Sequence, residues 1–120
     1  MSKKILIIDD EPEMVELIKL RLQANNLEVI TASEGEEGLD KMIKDKPDLV
    51  ILDIMMPNMD GYSFLRETRR DPFIAKIPII VLTAKPDMKD LFGLEGIKDY
   101  IIKPFEADEL MQKIKERLKL

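Results

Sequence analysis

Short, unbroken apolar runs punctuate this 120-residue chain at residues 5–8, 49–52, 78–82 and 100–102. Their length and β-branched content predict strands, and the absence of interior polar residues predicts burial on both faces. A parallel sheet held between two layers of helices meets that demand. The stretch Leu27-Glu28-Val29-Ile30-Thr31 alternates in polarity instead, as an edge strand does.

Between these runs the apolar period becomes helical. Pro12 suits a first helical position, Met14, Val15, Leu17, Ile18 and Leu22 give an apolar face, and Asn25-Asn26 suits its end. Residues 35–44 predict a shorter helix with Leu39, Met42 and Ile43 inward. Asp60 can cap a helix carrying Phe64 and Leu65 that stops near Asp71-Pro72. A last helix presents Leu110, Met111, Ile114 and Leu118, with Asp108 and Glu109 in its first turn and Lys113, Lys115, Arg117 and Lys119 toward its end, the order a helix dipole favours. The fold expected is α/β: a β-strand and a helix repeated five times, with right-handed crossovers and helices on both faces of a doubly wound parallel sheet. Residues 1–120 are expected to form one domain, with any output module absent. The region between Thr83 and Lys103 holds Pro86, Gly93 and Gly96, so its helix is expected to be short or frayed.

Composition removes much chemistry. There is no cysteine and no histidine, hence no disulfide, thiolate zinc site, cysteine nucleophile or imidazole base. The net charge of −5 is uneven: residues 1–60 carry 7 basic and 14 acidic side chains, residues 61–120 carry 12 and 10. With no dense basic run, direct nucleic-acid binding is not expected. Apolar stretches of this length cannot span a membrane, and the N-terminus lacks a signal core, so a soluble, cytoplasmic chain is expected.

The acids converge. In an open α/β sheet, ligands bind beyond the carboxyl ends of the strands. Asp9 and Asp10 close the first apolar run and Asp53 closes the third. If those strands are neighbours, three carboxylates meet, and their mutual repulsion approaches ~10 kcal/mol at an effective dielectric near 20. Either some of them hold a proton at neutral pH or a cation sits among them. An all-oxygen donor set suits Mg²⁺ or Mn²⁺. Beside such an ion a carboxylate can act as a nucleophile toward phosphorus, with Thr83 offering a hydroxyl and Lys103 an ammonium from later strand ends.

Four stretches carry a family resemblance: Ile7-Ile8-Asp9-Asp10-Glu11, Asp53-Ile54-Met55-Met56-Pro57-Asn58-Met59-Asp60-Gly61, Leu82-Thr83-Ala84, and Asp99-Tyr100-Ile101-Ile102-Lys103-Pro104-Phe105. Together, in this order, they resemble the receiver domain of two-component response regulators across essentially the whole chain. The resemblance implies the flavodoxin-like strand order 2-1-3-4-5 and a phosphorylation-activated switch rather than a turnover enzyme. It implies Asp53 as phosphoacceptor, and Mg²⁺ held by Asp10 directly, by Asp9 largely through water, by Asp53 and by the Met55 carbonyl. It further implies Lys103 on a phosphoryl oxygen, a cis bond from Lys103 to Pro104, and Thr83 and Tyr100 as a coupled switch pair. A sensor histidine kinase or phosphotransfer protein would be the donor. A downstream effector or fused output domain would read the face formed by the fourth helix, fifth strand and fifth helix, in a monomer or a phosphorylation-dependent dimer.

Met55 and Lys85 stand where the family gates the attacking water. An apolar and a cationic side chain offer no base there, which predicts slow self-dephosphorylation. Asp60-Gly61 reads as a turn and cap, and Glu11 as the start of the first helix. Three rivals remain open on sequence: a Mg²⁺-dependent phosphatase or phosphotransferase with an aspartyl nucleophile, for which no cap insertion is visible; a flavodoxin-like cofactor binder, whose phosphate Asp9-Asp10-Glu11 would repel; and a receiver that binds partners constitutively and is never phosphorylated.

Overall fold

The computed structural model describes residues 2–54, 61–84 and 99–120. The elements run β1 (Lys4–Ile8), α1 (Pro12–Ala24), β2 (Glu28–Ala32), α2 (Gly35–Asp45), β3 (Leu49–Asp53), α3 (Gly61–Arg70), β4 (Ile79–Thr83), β5 (Asp99–Ile102) and a C-terminal helix, α4 (Ala107–Leu118). The expected helix between Thr83 and Lys103 and the proposed cap Asp60 lie outside the described residues.

All four strand pairings are parallel and the order is β2-β1-β3-β4-β5, the doubly wound order implied by the resemblance. The registers level the carboxyl ends: Ile8 pairs with Ala32 on one side and Leu52 on the other, Asp53 with Leu82, and Thr83 with Ile102. Any side chain just past these ends therefore projects from one common edge.

Strand alternation divides the core into two layers. Leu6, Ile8, Val50, Leu52 and Val81 pack with Met42 of α2 and Phe64 and Leu65 of α3. Ile5, Ile7, Leu49, Ile51, Ile80 and Leu82 pack with Ile18 and Leu22 of α1 and Leu110, Met111 and Ile114 of α4. Each fully buried Leu or Ile contributes roughly 1.5–3 kcal/mol, so the central strands are the firmest part of the molecule. Gly38 lets α2 approach closely: a Cβ there would lie 2.5 Å from Ile8 Cδ1.

Three expectations are corrected. The apolar run 100–102 predicts burial on both faces, yet in β5, at the edge that the order 2-1-3-4-5 implies, Tyr100 is half-buried and Ile102 is exposed. A run of three apolar residues is too short to show which of them the covering elements leave exposed. Leu17 in α1 and Ile43 in α2 lie outside the core because the contact stripe is narrower than their apolar segments; Ile18, Leu22 and Met42 fill it. Leu17 instead lines a groove of about 890 Å³ between α1 and α4, together with Met14, Phe105 and Leu110.

Ion pairs fasten the C-terminal helix at both ends. Arg21 of α1 reaches Asp108 in its first turn at 2.6 Å, and Arg117 in its last turn pairs with Asp99 at the start of β5. The acidic first turn and basic last turn thus serve tertiary anchoring as well as the dipole. No helix among the described residues is long and apolar enough to cross a membrane.

Candidate functional site: the acidic carboxyl edge

Asp9 is the first residue beyond β1. Its N–H donates to the Ala32 carbonyl at 3.0 Å, continuing the ladder by one residue and fixing where its side chain begins. Pro12 restricts the residue before it to extended backbone, and Glu11 lies at φ −96°, ψ 103°. In that conformation the Glu11 N–H donates to Asp9 Oδ1 at 2.9 Å. The other oxygen, Asp9 Oδ2, is buried and has no hydrogen-bond partner among the described residues.

Asp53 closes β3, paired across to Leu82, and is almost fully buried. The Ile54 N–H donates to the Leu82 carbonyl at 3.1 Å and the Lys103 N–H to the Thr83 carbonyl at 2.7 Å, so strand pairing locks residues on either side of the site. The Lys103 ammonium then reaches back to donate to Asp53 Oδ2 at 3.0 Å. The Lys103–Pro104 peptide is cis, as the resemblance implied. Thr83 is fully buried at the end of β4. Tyr100, half-buried, packs against the layer that contains Val81, its register partner. Alternation points Thr83 to that same layer, so Thr83 and Tyr100 share a face one step apart.

Oxygens of Asp9, Asp10 and Asp53 all lie within 4.8 Å of one another. Two of the three side chains are buried and Asp10 is exposed. Burial, with the negative charge of Asp53 behind it, pushes the Asp9 carboxyl up from 3.8 to about 6, even though the Glu11 N–H pulls it down. For Lys103, burial alone would lower the ammonium; the hydrogen bond and charge of Asp53, then the charges of Asp9 and Glu11, reverse this and hold it above its ordinary value. The donor set fits a hard divalent cation: three close carboxylates, no nitrogen or sulfur, and a buried oxygen with an unused lone pair.

The structure brings Asp9, Asp10, Asp53 and Lys103 together, with Thr83 at the neighbouring strand end. Met55 and Lys85 lie outside the described residues. By sequence Glu11 reads only as the start of the first helix; in the structure it stands at the site. It does precede the first helical residue, but its side chain makes no capping bond; its carboxylate stands 3.6 Å from the Lys103 ammonium. The signal was Pro12, which fixes Glu11 in the conformation that serves Asp9.

A doubly wound sheet with three acids and one lysine at the carboxyl ends of β1, β3 and β5 defines a class of signalling domain. Residues 5–115 match the profile of the response regulator receiver domain, and the chain belongs to that family. It is 42% identical, over 99% of its length, to the alkaline phosphatase synthesis transcriptional regulatory protein PhoP of Bacillus subtilis, and 36% identical to the DNA-binding response regulator MtrA of Mycolicibacterium smegmatis. It covers 50% of the former and 52% of the latter, so the chain spans about half the length of these relatives. Among solved structures, the chemotaxis response regulator CheY4 of Vibrio cholerae superposes with a TM-score of 0.90 at 29% identity, covering 98% of this chain and 99% of CheY4. The receiver domain of sensor histidine kinase PA1611 from Pseudomonas aeruginosa, determined with a magnesium ion coordinated in its active site cleft, gives 0.89 at 26% identity with full coverage of both chains.

Proposed function

We propose that this receiver domain takes a phosphoryl group onto Asp53 and passes the change to a partner through its surface. The observation that carries the reading is the Lys103 ammonium on Asp53 Oδ2 at 3.0 Å, with Asp9 and Asp10 beside it. Phosphoryl transfer to a carboxylate needs a positioned nucleophile and positive charge where the transferring oxygens will lie. Asp53 supplies the first and Lys103 part of the second. An oxygen of Asp53 forms the new O–P bond while the bond from phosphorus to the donor breaks, the donor leaving with that electron pair. The donor class is a phosphohistidine on a sensor histidine kinase or phosphotransfer protein.

Asp9, Asp10 and Asp53 would hold Mg²⁺, with Mn²⁺ as an alternative and the Met55 carbonyl as the further ligand the family implies. Bound there, the ion supplies the positive charge that makes three close carboxylates tolerable and offsets the charge of the incoming group. Thr83 then has the hydroxyl best placed to follow the phosphoryl oxygens, and Tyr100, on its face, the side chain to repack with it. A two-state surface biased by this added charge is what an effector or a fused output domain would read. The setting proposed is the cytoplasm.

The test is direct. Incubated with Mg²⁺ and acetyl phosphate, the protein should gain a single alkali-labile phosphoryl group by intact mass, absent in Asp53→Ala and without metal. Addition at another residue, or none in the presence of Mg²⁺, refutes the reading.

A further inference from the structure

Glu11 occupies an unusual place at the acidic edge. It is the residue before α1, where a side chain normally accepts from the first turn of the helix, yet it makes no such bond. Its backbone N–H holds Asp9 Oδ1 at 2.9 Å while its carboxylate Oε1 lies 3.6 Å from Lys103 Nζ. The same ammonium donates to Asp53 Oδ2 at 3.0 Å. Lys103 therefore stands between two carboxylates, one buried and one at the rim. The Glu11 side chain is 60% exposed and that of Lys103 is 18% exposed, so the rim acid lies on the solvent side of the buried cation.

We propose that Glu11 is a positioning residue that competes with an incoming phosphoryl group for the Lys103 ammonium and so weakens the site's affinity for small, free phosphodonors. The inference rests on the phosphoacceptor reading above. An ammonium has three N–H donors on one flexible stem, and a donor phosphate that engages it must do so against a carboxylate already facing it. Beyond the ion and this ammonium, a small dianion has little else to bind with. A donor carried on a protein brings its own contact surface, so the same obstacle biases the domain toward protein-borne donors.

The experiment measures the initial rate of Asp53 phosphorylation against acetyl phosphate concentration at saturating Mg²⁺, for the unaltered protein, Glu11→Gln and Glu11→Asp. In each turnover Asp53 forms an O–P bond, the O–P bond of acetyl phosphate breaks, and acetate leaves with the electron pair. Glu11→Gln should lower the half-saturating donor concentration about three- to fivefold, the upper range for an exposed ion pair, and change the maximal rate less than twofold. Glu11→Asp keeps the charge but withdraws it by one methylene, and should resemble the glutamine variant. If the glutamine variant matches the unaltered protein in half-saturation, the inference fails while the phosphoacceptor reading stands. If only aspartate preserves the original value, a general field of charge is at work and the contact is not, which also overturns it. If the unaltered protein is not phosphorylated at all, the earlier reading fails first.

Discussion

Replacing Asp9 with asparagine should make the metal-free domain more stable while disabling it. Asp9 is 3% exposed, its Oδ2 lacks a partner among the described residues, and burial beside Asp53 pushes its carboxyl from 3.8 to about 6. Because the folded value lies above the unfolded one, the folded state keeps a proton between about pH 4 and 6 that the unfolded state has lost. Stability from this group is thus present at low pH, declines as pH rises through that window, and is gone above it. At pH 8 the ionised carboxylate costs the fold about 3 kcal/mol. Asn keeps the oxygen that accepts the Glu11 N–H and turns the other atom into a donor facing Asp10 and Asp53, whose oxygens lie within 4.8 Å. In chelator at pH 8, Asp9→Asn should gain about 1–3 kcal/mol, which for a domain of this size raises the melting temperature by roughly 4–10 °C. Near pH 4 the two proteins should melt together. Millimolar Mg²⁺ should stabilise only the unaltered protein, by about 2.7 kcal/mol at a hundredfold excess over Kd. A variant no more stable than its parent at pH 8, or a gap that persists unchanged at pH 4, refutes the argument.

Three further substitutions probe the frame around the site. Lys103→Met leaves Asp53 buried without its ion pair and should cost about 2–4 kcal/mol in urea denaturation; combined with Asp53→Asn, most of that loss should disappear, giving a favourable coupling in the double-mutant cycle. Gly38→Ala places a methyl 2.5 Å from Ile8 Cδ1, and should destabilise by about 1–3 kcal/mol although alanine is the better helix former; Ile8→Val in the same chain should restore part of it. Lys46, the residue ending α2, sits at φ 48°, a conformation costly for any side chain, so Lys46→Gly should stabilise by about 1 kcal/mol in thermal melts.

What could be read from the chain followed from physical regularity. Fully apolar runs of four or five residues have few stable fates, and β1, β3 and β4 fall within one residue of their expected limits. Pro12 and Asn25 bound α1 because a missing N–H and a turn-tolerant side chain act locally. Asp9, Asp10 and Asp53 were legible as a group because parallel strands bring their carboxyl ends to one edge. The exposure of Ile102, the exposure of Leu17 and the contact of Glu11 with Lys103 were not. Each depends on which element lies alongside, a distance of 92 residues along the chain in the last case, and no local pattern encodes it.

Alternation along the strands makes the sheet a partition. Leu49 and Ile51 face the α1 and α4 side, and Asp53 continues that parity; Ile79 and Val81 face the other side, and Thr83 continues theirs. Asp53, the proposed phosphoacceptor, and Thr83, the proposed reporter, therefore belong to different storeys of the same wall, joined only where the strands end. A protein gripping α1 would leave the opposite storey open, whereas one gripping the C-terminal helix α4 would also cover part of the face expected to be read by an output partner.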